Sequence, residues 1–144
     1  NKNSVITSLS LVNSIGESTS APQCGENIRL IITSYCIHSV QCFMAGFIVR
    51  DKTGMIIWGE NNIRHGPLET KAGSNVTISF EFAMPFLKAG KYSFSAAISE
   101  NDVDMPTIMH YKPDALIVEP ILGRHPVYGI FAIPSMNIFT EINP

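Results

Sequence analysis

The stretch Gly46-Phe-Ile-Val-Arg-Asp-Lys-Thr-Gly-Met-Ile-Ile-Trp-Gly-Glu-Asn-Asn62 decides the fold. It reads as strand, tight turn and strand, with Asp51–Gly54 as the turn and Gly54 supplying the positive φ that such a turn needs. The hairpin is predicted to pair Phe43–Arg50 with Met55–Glu60. A second stretch, Gly90-Lys-Tyr-Ser-Phe-Ser-Ala-Ala-Ile98, adds a strand whose two faces differ in bulk. Side chains alternate across a strand, so Tyr92, Phe94, Ala96 and Ile98 share one face. Ser93, Ser95, Ala97 and Ser99 share the other and leave a shallow polar floor. Either Arg29, Thr33 and Tyr35, or Gly46, Ile48 and Arg50, are expected on the strands beside that floor.

Outward from these two segments the chain reads as strands nearly throughout. Ser4–Val12 alternates Val5, Leu9 and Leu11 with polar neighbours, and Asn13–Glu26 is a Ser-, Gly- and Pro-rich loop. Asn27–His38 sets Ile28, Leu30 and Ile32 against Arg29, Thr33 and Tyr35. Asn61–Ser74 is a loop, and Val76–Phe82 is a clean half-buried strand. One helical turn is expected at Phe86–Ala89, a strand at Lys91–Ser99, a loop at Asn101–Lys112 and a strand at Ala115–Glu119. Gly129–Ile142 is a last extended segment interrupted by Pro134. No window supports a long amphipathic helix. Short strands separated by turn residues predict an all-β, immunoglobulin-like antiparallel sandwich. Pro134 cannot donate to a ladder, so the last segment is an edge strand or a broken one. A long apolar edge must be covered, and pairing with a second subunit does so; a homodimer is predicted, by strand exchange or edge-to-edge addition.

Composition narrows the function classes. The 144 residues suit a single domain spanning 1–144. Hydrophobic residues make up 45% and charged residues 15%, which is globular rather than disordered. Net charge is −2 and the 10 Lys+Arg are scattered, against the basic stripe that nucleic acid requires. No apolar run approaches the roughly 20 residues of a membrane span, and no signal peptide is visible, so no direct membrane insertion is expected. The chain begins at Asn1 and reads as a piece of a longer protein. Cys24, Cys36 and Cys42 form neither a disulfide framework nor a CxxC metal signature. They are read as reduced thiols of a cytoplasmic protein, Cys36 in the core. Glu100, Asp102 and Asp104 lack the Gly and the later Glu of a calcium loop, so neither metal nor cofactor is expected. No GxSxG elbow accompanies the serines and histidines. Glu60, Glu69, Glu81 and Asp102 show no pairing of the kind that glycoside hydrolysis needs.

A family resemblance rests on Gly46-Phe47, the Arg50-Asp51…Gly54 turn, Trp58-Gly59-Glu-Asn61-Asn62, Gly90-Lys-Tyr92 and the ending Gly129-Ile-Phe…Pro134. In that order they resemble the C-terminal domain of the ATP-binding subunit of bacterial O-antigen polysaccharide ABC transporters, the Wzt family. The resemblance runs from about Val5 to Phe139; Asn62 departs from it, Thr being the more frequent residue. It implies a cytoplasmic β-sandwich, at the inner face of the inner membrane as part of a transporter, dimerised by exchange of the C-terminal strand. It also implies binding of the modified non-reducing end of a finished lipid-linked O-polysaccharide, which marks that chain for export. Contact with the membrane subunit would run through the full-length protein. The domain itself would do no chemistry: ATP hydrolysis would belong to a preceding domain, and no GxxxxGK[ST] loop occurs here. The alternative is a sandwich that only dimerises or binds protein partners, with no sugar site.

Candidate sugar-binding residues follow from chemistry and position. Trp58 can stack on a sugar ring, although its apolar strand suits the core. Tyr35 and His38 close a long strand on its polar side or just beyond. Arg64 and His65 sit in a loop over a rigid sheet, where binding residues concentrate. Arg50 either joins the site or caps the turn, and Ser93 and Ser95 belong to the floor. His110-Tyr111 follow the acidic segment, while Asn61 and Asn62 are expected to hold a turn. If the glycan end is anionic, Arg64, Arg50 or Arg29 would supply charge-assisted hydrogen bonds.

Overall fold

A computed structural model describes residues 3–66, 68–101 and 106–143. Among these residues nine strands alternate with loops and one 3-10 turn. They are β1 (Ser4–Val12), β2 (Asn27–Cys36), β3 (Phe43–Arg50), β4 (Ile56–Asn61), β5 (Asn75–Ala83), β6 (Phe86–Leu87), β7 (Tyr92–Asn101), β8 (Pro106–Val118) and β9 (Phe131–Ala132). β1-β2-β5 make one antiparallel sheet and β4-β3-β7-β8 the other, with β6-β9 a short separate ladder. The architecture is the immunoglobulin-like sandwich that the strand pattern implies.

The core lies where the inward faces meet. Ile28, Leu30 and Ile32 of β2 oppose Phe47 and Val49 of β3 and Phe94, Ala96 and Ile98 of β7, all buried. Phe47 organises the centre: its ring meets Phe80 edge-on at 5.1 Å and stacks on Phe94 at 5.9 Å. Such ring pairs stabilise beyond their area burial. Cys24 and Cys36 fill core positions, and no cysteine is bridged. In β1 an irregularity between Ile6 and Ser8 resets the alternation, so Ile6 joins Leu11 inside and Val5 is only half-buried.

Two sequence-based expectations are corrected, and one left open between two alternatives is resolved. Residues 106–112 are not loop but the first half of β8, a strand that pairs with β7 along its length; 102–105 of the expected loop lie outside the described residues. β8 hides from a period-of-two reading because its register with β7 slips twice and most of its side chains are exposed. Phe86–Ala89 is not a helical turn: Phe86 and Leu87 extend to pair with Ala132 and Phe131. Of the extended segment 129–142 only Phe131–Ala132 forms a ladder, so it is the broken alternative rather than an edge strand. Pro134, which lacks an N–H, follows that ladder by two residues.

The β3–β4 turn is held by Asp51. Its Oδ1 accepts from the Thr53 hydroxyl at 2.6 Å, the Thr53 N–H at 2.9 Å and the Met55 N–H at 3.1 Å. Hydrogen bonding to the carboxylate, the Thr53 hydroxyl first, holds the Asp51 pKa below its ordinary value. A depressed folded-state pKa stabilises the fold above the unfolded carboxylate pKa, and that stabilisation is lost as pH falls through the folded value. Carboxyl chemical shifts followed by NMR are expected to show Asp51 titrating below an ordinary aspartate. Asp51→Asn is expected to flatten the acid limb of stability.

Candidate functional site

The outer face of the β4-β3-β7-β8 sheet carries an open groove of about 390 Å³. Strand register explains it. Gly46 of β3 stands between Asn61 of β4 and Ala97 of β7, and Ile48 stands between Gly59 and Ser95. Two glycines and an alanine across neighbouring strands leave a trough where ordinary side chains would make a filled face. The glycines are required by proximity, since a Cβ on Gly59 would lie 2.6 Å from the Phe47 carbonyl oxygen and one on Gly46 2.8 Å from that of Glu60. Met44, Glu60, Asn61, Ser99 and Tyr111 complete the lining. The surface therefore offers an apolar floor with a phenol, an amide and a hydroxyl around it, the mixture that suits a polyhydroxylated ligand.

Arg50 lies one inward-outward step beyond Ile48 on the same strand, at one end of the groove. Its Nη1 donates to Ser95 Oγ at 3.2 Å and to Tyr111 OH at 3.5 Å. Ser95 Oγ also accepts the Asp114 N–H at 2.9 Å. Asp114 has φ 47°, the one non-glycine residue described with positive φ, and lies in the stretch where β8 bulges away from its register with β7. Ser95, 1% exposed, thus anchors this bulge and positions Arg50. Tyr111, opposite Ala97, rises beside the floor.

The sequence-based candidates divide by location. Arg50, Ser93 and Ser95 lie on this face, with Ser93 paired to Arg50 in the register. The neighbours of the floor are therefore Gly46, Ile48 and Arg50. Arg29, Thr33 and Tyr35 stand on β2, whose partners are β1 and β5, so they occupy the opposite sheet. Tyr35 is exposed there, and His38 is exposed in the following loop, its N–H donating to the Asn3 carbonyl at 3.0 Å. Neither reaches the groove. Trp58 pairs with the inward-facing Val49 and meets Phe82 and Phe94 edge-on at 6.2 and 6.1 Å. Strand parity turns it toward the core, as its apolar surroundings suggest. Its remaining edge, with Arg64 and His65, lines a second hollow at the open side of the sandwich between β4 and β5. Arg64 is 78% exposed there and pairs with Glu60 at 3.1 Å.

Asn61 holds a turn as the sequence suggests, whereas Asn62 braces β3. Asn61 caps the 3-10 turn Asn62–His65 by accepting the Ile63 N–H at 2.9 Å. Asn62 is buried; its Oδ1 accepts the Ala45 N–H at 2.8 Å and its Nδ2 donates to the Phe43 carbonyl at 3.2 Å. It continues the β3 ladder where β4 ends. Asn62→Ala strands both backbone groups and is expected to cost about 1–3 kcal/mol in urea unfolding. Sequence reasoning passed over Met44 and Gly59, and it named Tyr111 as a candidate without placing it beside the floor, because β8 was read as loop. Recognising 106–118 as a strand beside β7 is the signal that would have placed Tyr111 on the groove. Among the described residues no three His, Cys, Asp or Glu group as metal ligands; Asp102 and Asp104 lie outside those residues.

A rigid two-sheet sandwich with a shallow groove of small residues on one outer face is built as a β-sandwich binding module. The model of the Wzt C-terminal domain family matches residues 1–133, and the chain belongs to that family. The crystal structure of the C-terminal domain of Wzt superimposes with a TM-score of 0.83 at 14% identity, covering 97% of this chain and 86% of that one. At that identity the likeness establishes the fold. A Bacteroides uniformis β-glucuronidase aligns with a TM-score of 0.49 at 10% identity, over 78% of this chain and 14% of the enzyme. No curated protein matches the chain.

Proposed function

We propose that this domain binds the modified non-reducing end of a lipid-linked O-antigen polysaccharide in the cytoplasm and so selects finished chains for export. Family membership supports the coarser part of this reading, a carbohydrate-binding domain of an O-antigen transporter. The observation that carries the site is the groove over Gly46, Gly59 and Ala97, open at the surface and walled by Tyr111, Asn61 and Ser99. A terminal sugar would lie on the small-residue floor and exchange hydrogen bonds with the rim. Arg64 and His65 would extend the site sideways past Glu60 to a longer glycan; Tyr35 and His38 stand outside it. The domain does no chemistry in this reading, and ATP hydrolysis belongs to a separate domain of the full-length protein, which also reaches the membrane subunit. No helix among the described residues is long and apolar enough to cross a membrane.

Shallow sites of this kind reach roughly micromolar to millimolar affinity, about −8 to −4 kcal/mol. Two sites on a dimer raise the avidity when both engage. The exposed apolar C-terminal segment supports a dimer: Ile138 and Phe139 are 81% and 92% exposed. Exchange of this segment between subunits would cover it. Ile138→Asp is expected to shift the chain from dimer to monomer in size-exclusion chromatography with light scattering. Calorimetric titration with O-polysaccharides that carry or lack their terminal modification tests the function. Binding of the modified form alone is expected; equal failure of both with a folded dimer would favour a purely structural module.

A further inference from the structure

A third hollow, of about 430 Å³, opens at the end of the sandwich where β3 turns into β4 and β6 leads into β7. It shares no lining residue with the glycan groove. Lys52 stands on the first of these connections, and Lys88 and Lys91 stand on the second. None of the three ammonium groups has a carboxylate within the 4.0 Å of an ion pair among the described residues. The one acid on the wall, Asp51, is committed to its own turn through Thr53 and Met55. Like charges gathered in this way repel one another, and a bound anion relieves the repulsion. The floor between them is apolar: Met55 and Ile130 are 47% and 49% exposed, and Ile57 packs partly on the core.

Both walls are fixed before any ligand arrives. Asp51 ties the first, and the Tyr92 hydroxyl holds the second by donating to the Lys88 carbonyl at 2.8 Å. Gly90, at φ 140°, turns the chain between Lys88 and Lys91 in a conformation that side chains disfavour. The Lys52 stem lies across it, with Cδ 3.9 Å from where a Gly90 Cβ would stand. The N–H groups of Ala89, Gly90 and Lys91 donate to no carbonyl among the described residues. A run of unengaged N–H groups beside converging lysines is a setting for an anion.

We propose that this hollow binds an anionic phosphate ester, with the phosphate among Lys52, Lys88 and Lys91 and an apolar or planar body over Met55, Ile57 and Ile130. Lysines act as point charges that suit a tetrahedral phosphate. A planar carboxylate is matched better by the fork of an arginine, and no arginine lines the hollow. A concave site of this size takes one small molecule or one lipid headgroup rather than a nucleic acid strand. Glycan binding at the groove is not required for it.

Two probes test the site and distinguish a free ester from a lipid headgroup. Calorimetry follows ADP, and flotation follows phosphatidylcholine vesicles in which phosphatidic acid is about one-fifth of the lipid. Adenosine and plain phosphatidylcholine vesicles are the uncharged controls. The chain is expected to bind ADP, the acidic vesicles or both, and neither control. Lys52→Gln/Lys88→Gln/Lys91→Gln alters exposed positions only and is expected to weaken that binding by at least about tenfold. Lys71→Gln/Lys112→Gln, outside the hollow, is expected to bind as the parent does. Binding of ADP alone assigns the hollow to a free ester, and binding of the vesicles alone assigns it to a headgroup. Failure of both probes, or controls bound as tightly as their charged counterparts, overturns the proposal. So does a hollow variant that binds no more weakly than the Lys71 and Lys112 variant.

Discussion

Ala97→Leu is expected to bind the modified glycan end on the order of a hundredfold more weakly than the parent chain, about 2.7 kcal/mol, while the fold persists. Ala97 faces outward between Gly46 and Tyr111, so a leucine there projects into the groove rather than into the core. The branched side chain would occupy the space over Gly46 in which a sugar ring must lie. Nothing inward is disturbed, because the inward neighbours Ala96 and Ile98 belong to the other face of the strand. Circular dichroism and a thermal melt are expected to match the parent, and calorimetry is expected to show the loss. A leucine variant that binds normally would move the glycan away from this face, leaving the hollow beside Arg64 and His65 as the next place to look.

Phe94→Ala is expected to have the largest effect on stability. Phe94 is fully buried, stacks on Phe47 at 5.9 Å and receives the edge of Trp58 at 6.1 Å. Truncation removes the ring and leaves a cavity between the sheets that they cannot close without moving. Such changes cost about 3–5 kcal/mol, a large share of the roughly 5–15 kcal/mol that holds a domain together. The melting temperature is expected to drop by roughly 10–20 °C. Phe94 also separates the core from the site, since its strand neighbours Ser93 and Ser95 face the groove side. Glycan affinity measured well below the melt is therefore expected to change far less than stability. Strong loss of binding in the folded fraction would mean that the groove depends on core packing more closely than strand parity implies.

The sandwich was legible wherever one face of a strand is buried and the other is not. Ile28, Leu30 and Ile32 against Arg29, Thr33 and Tyr35 gave β2 with its faces assigned, and Phe94 with Ser95 gave β7 in the same way. β8 escaped because its exposed residues outnumber its buried ones and Pro113-Asp114 interrupt the alternation. Of the site, only the Ser/Ala floor could be found from parity alone. Tyr111 could not, because its membership depends on β8 being a strand and on which strand it pairs with. Tyr35 and His38 show the converse limit: a polar face is easily seen, but the alternation of one strand does not say which sheet that strand joins.

What the sequence determines by itself is therefore local and periodic: the hairpin at Asp51–Gly54, the alternating strands, the all-β class and the small-residue face of β7. Hydrophobic alternation reports burial one strand at a time, and turn residues report φ one position at a time. Only the tertiary structure decided that Gly46, Gly59 and Ala97 align across three strands to open a trough. It also placed Ser95 and Tyr111 where they hold Arg50, and turned Trp58 inward onto Phe94. Those arrangements depend on strand order and register between residues distant in the chain. They are fixed by how two sheets bury their shared faces, a choice made by the packing as a whole and written in no single segment.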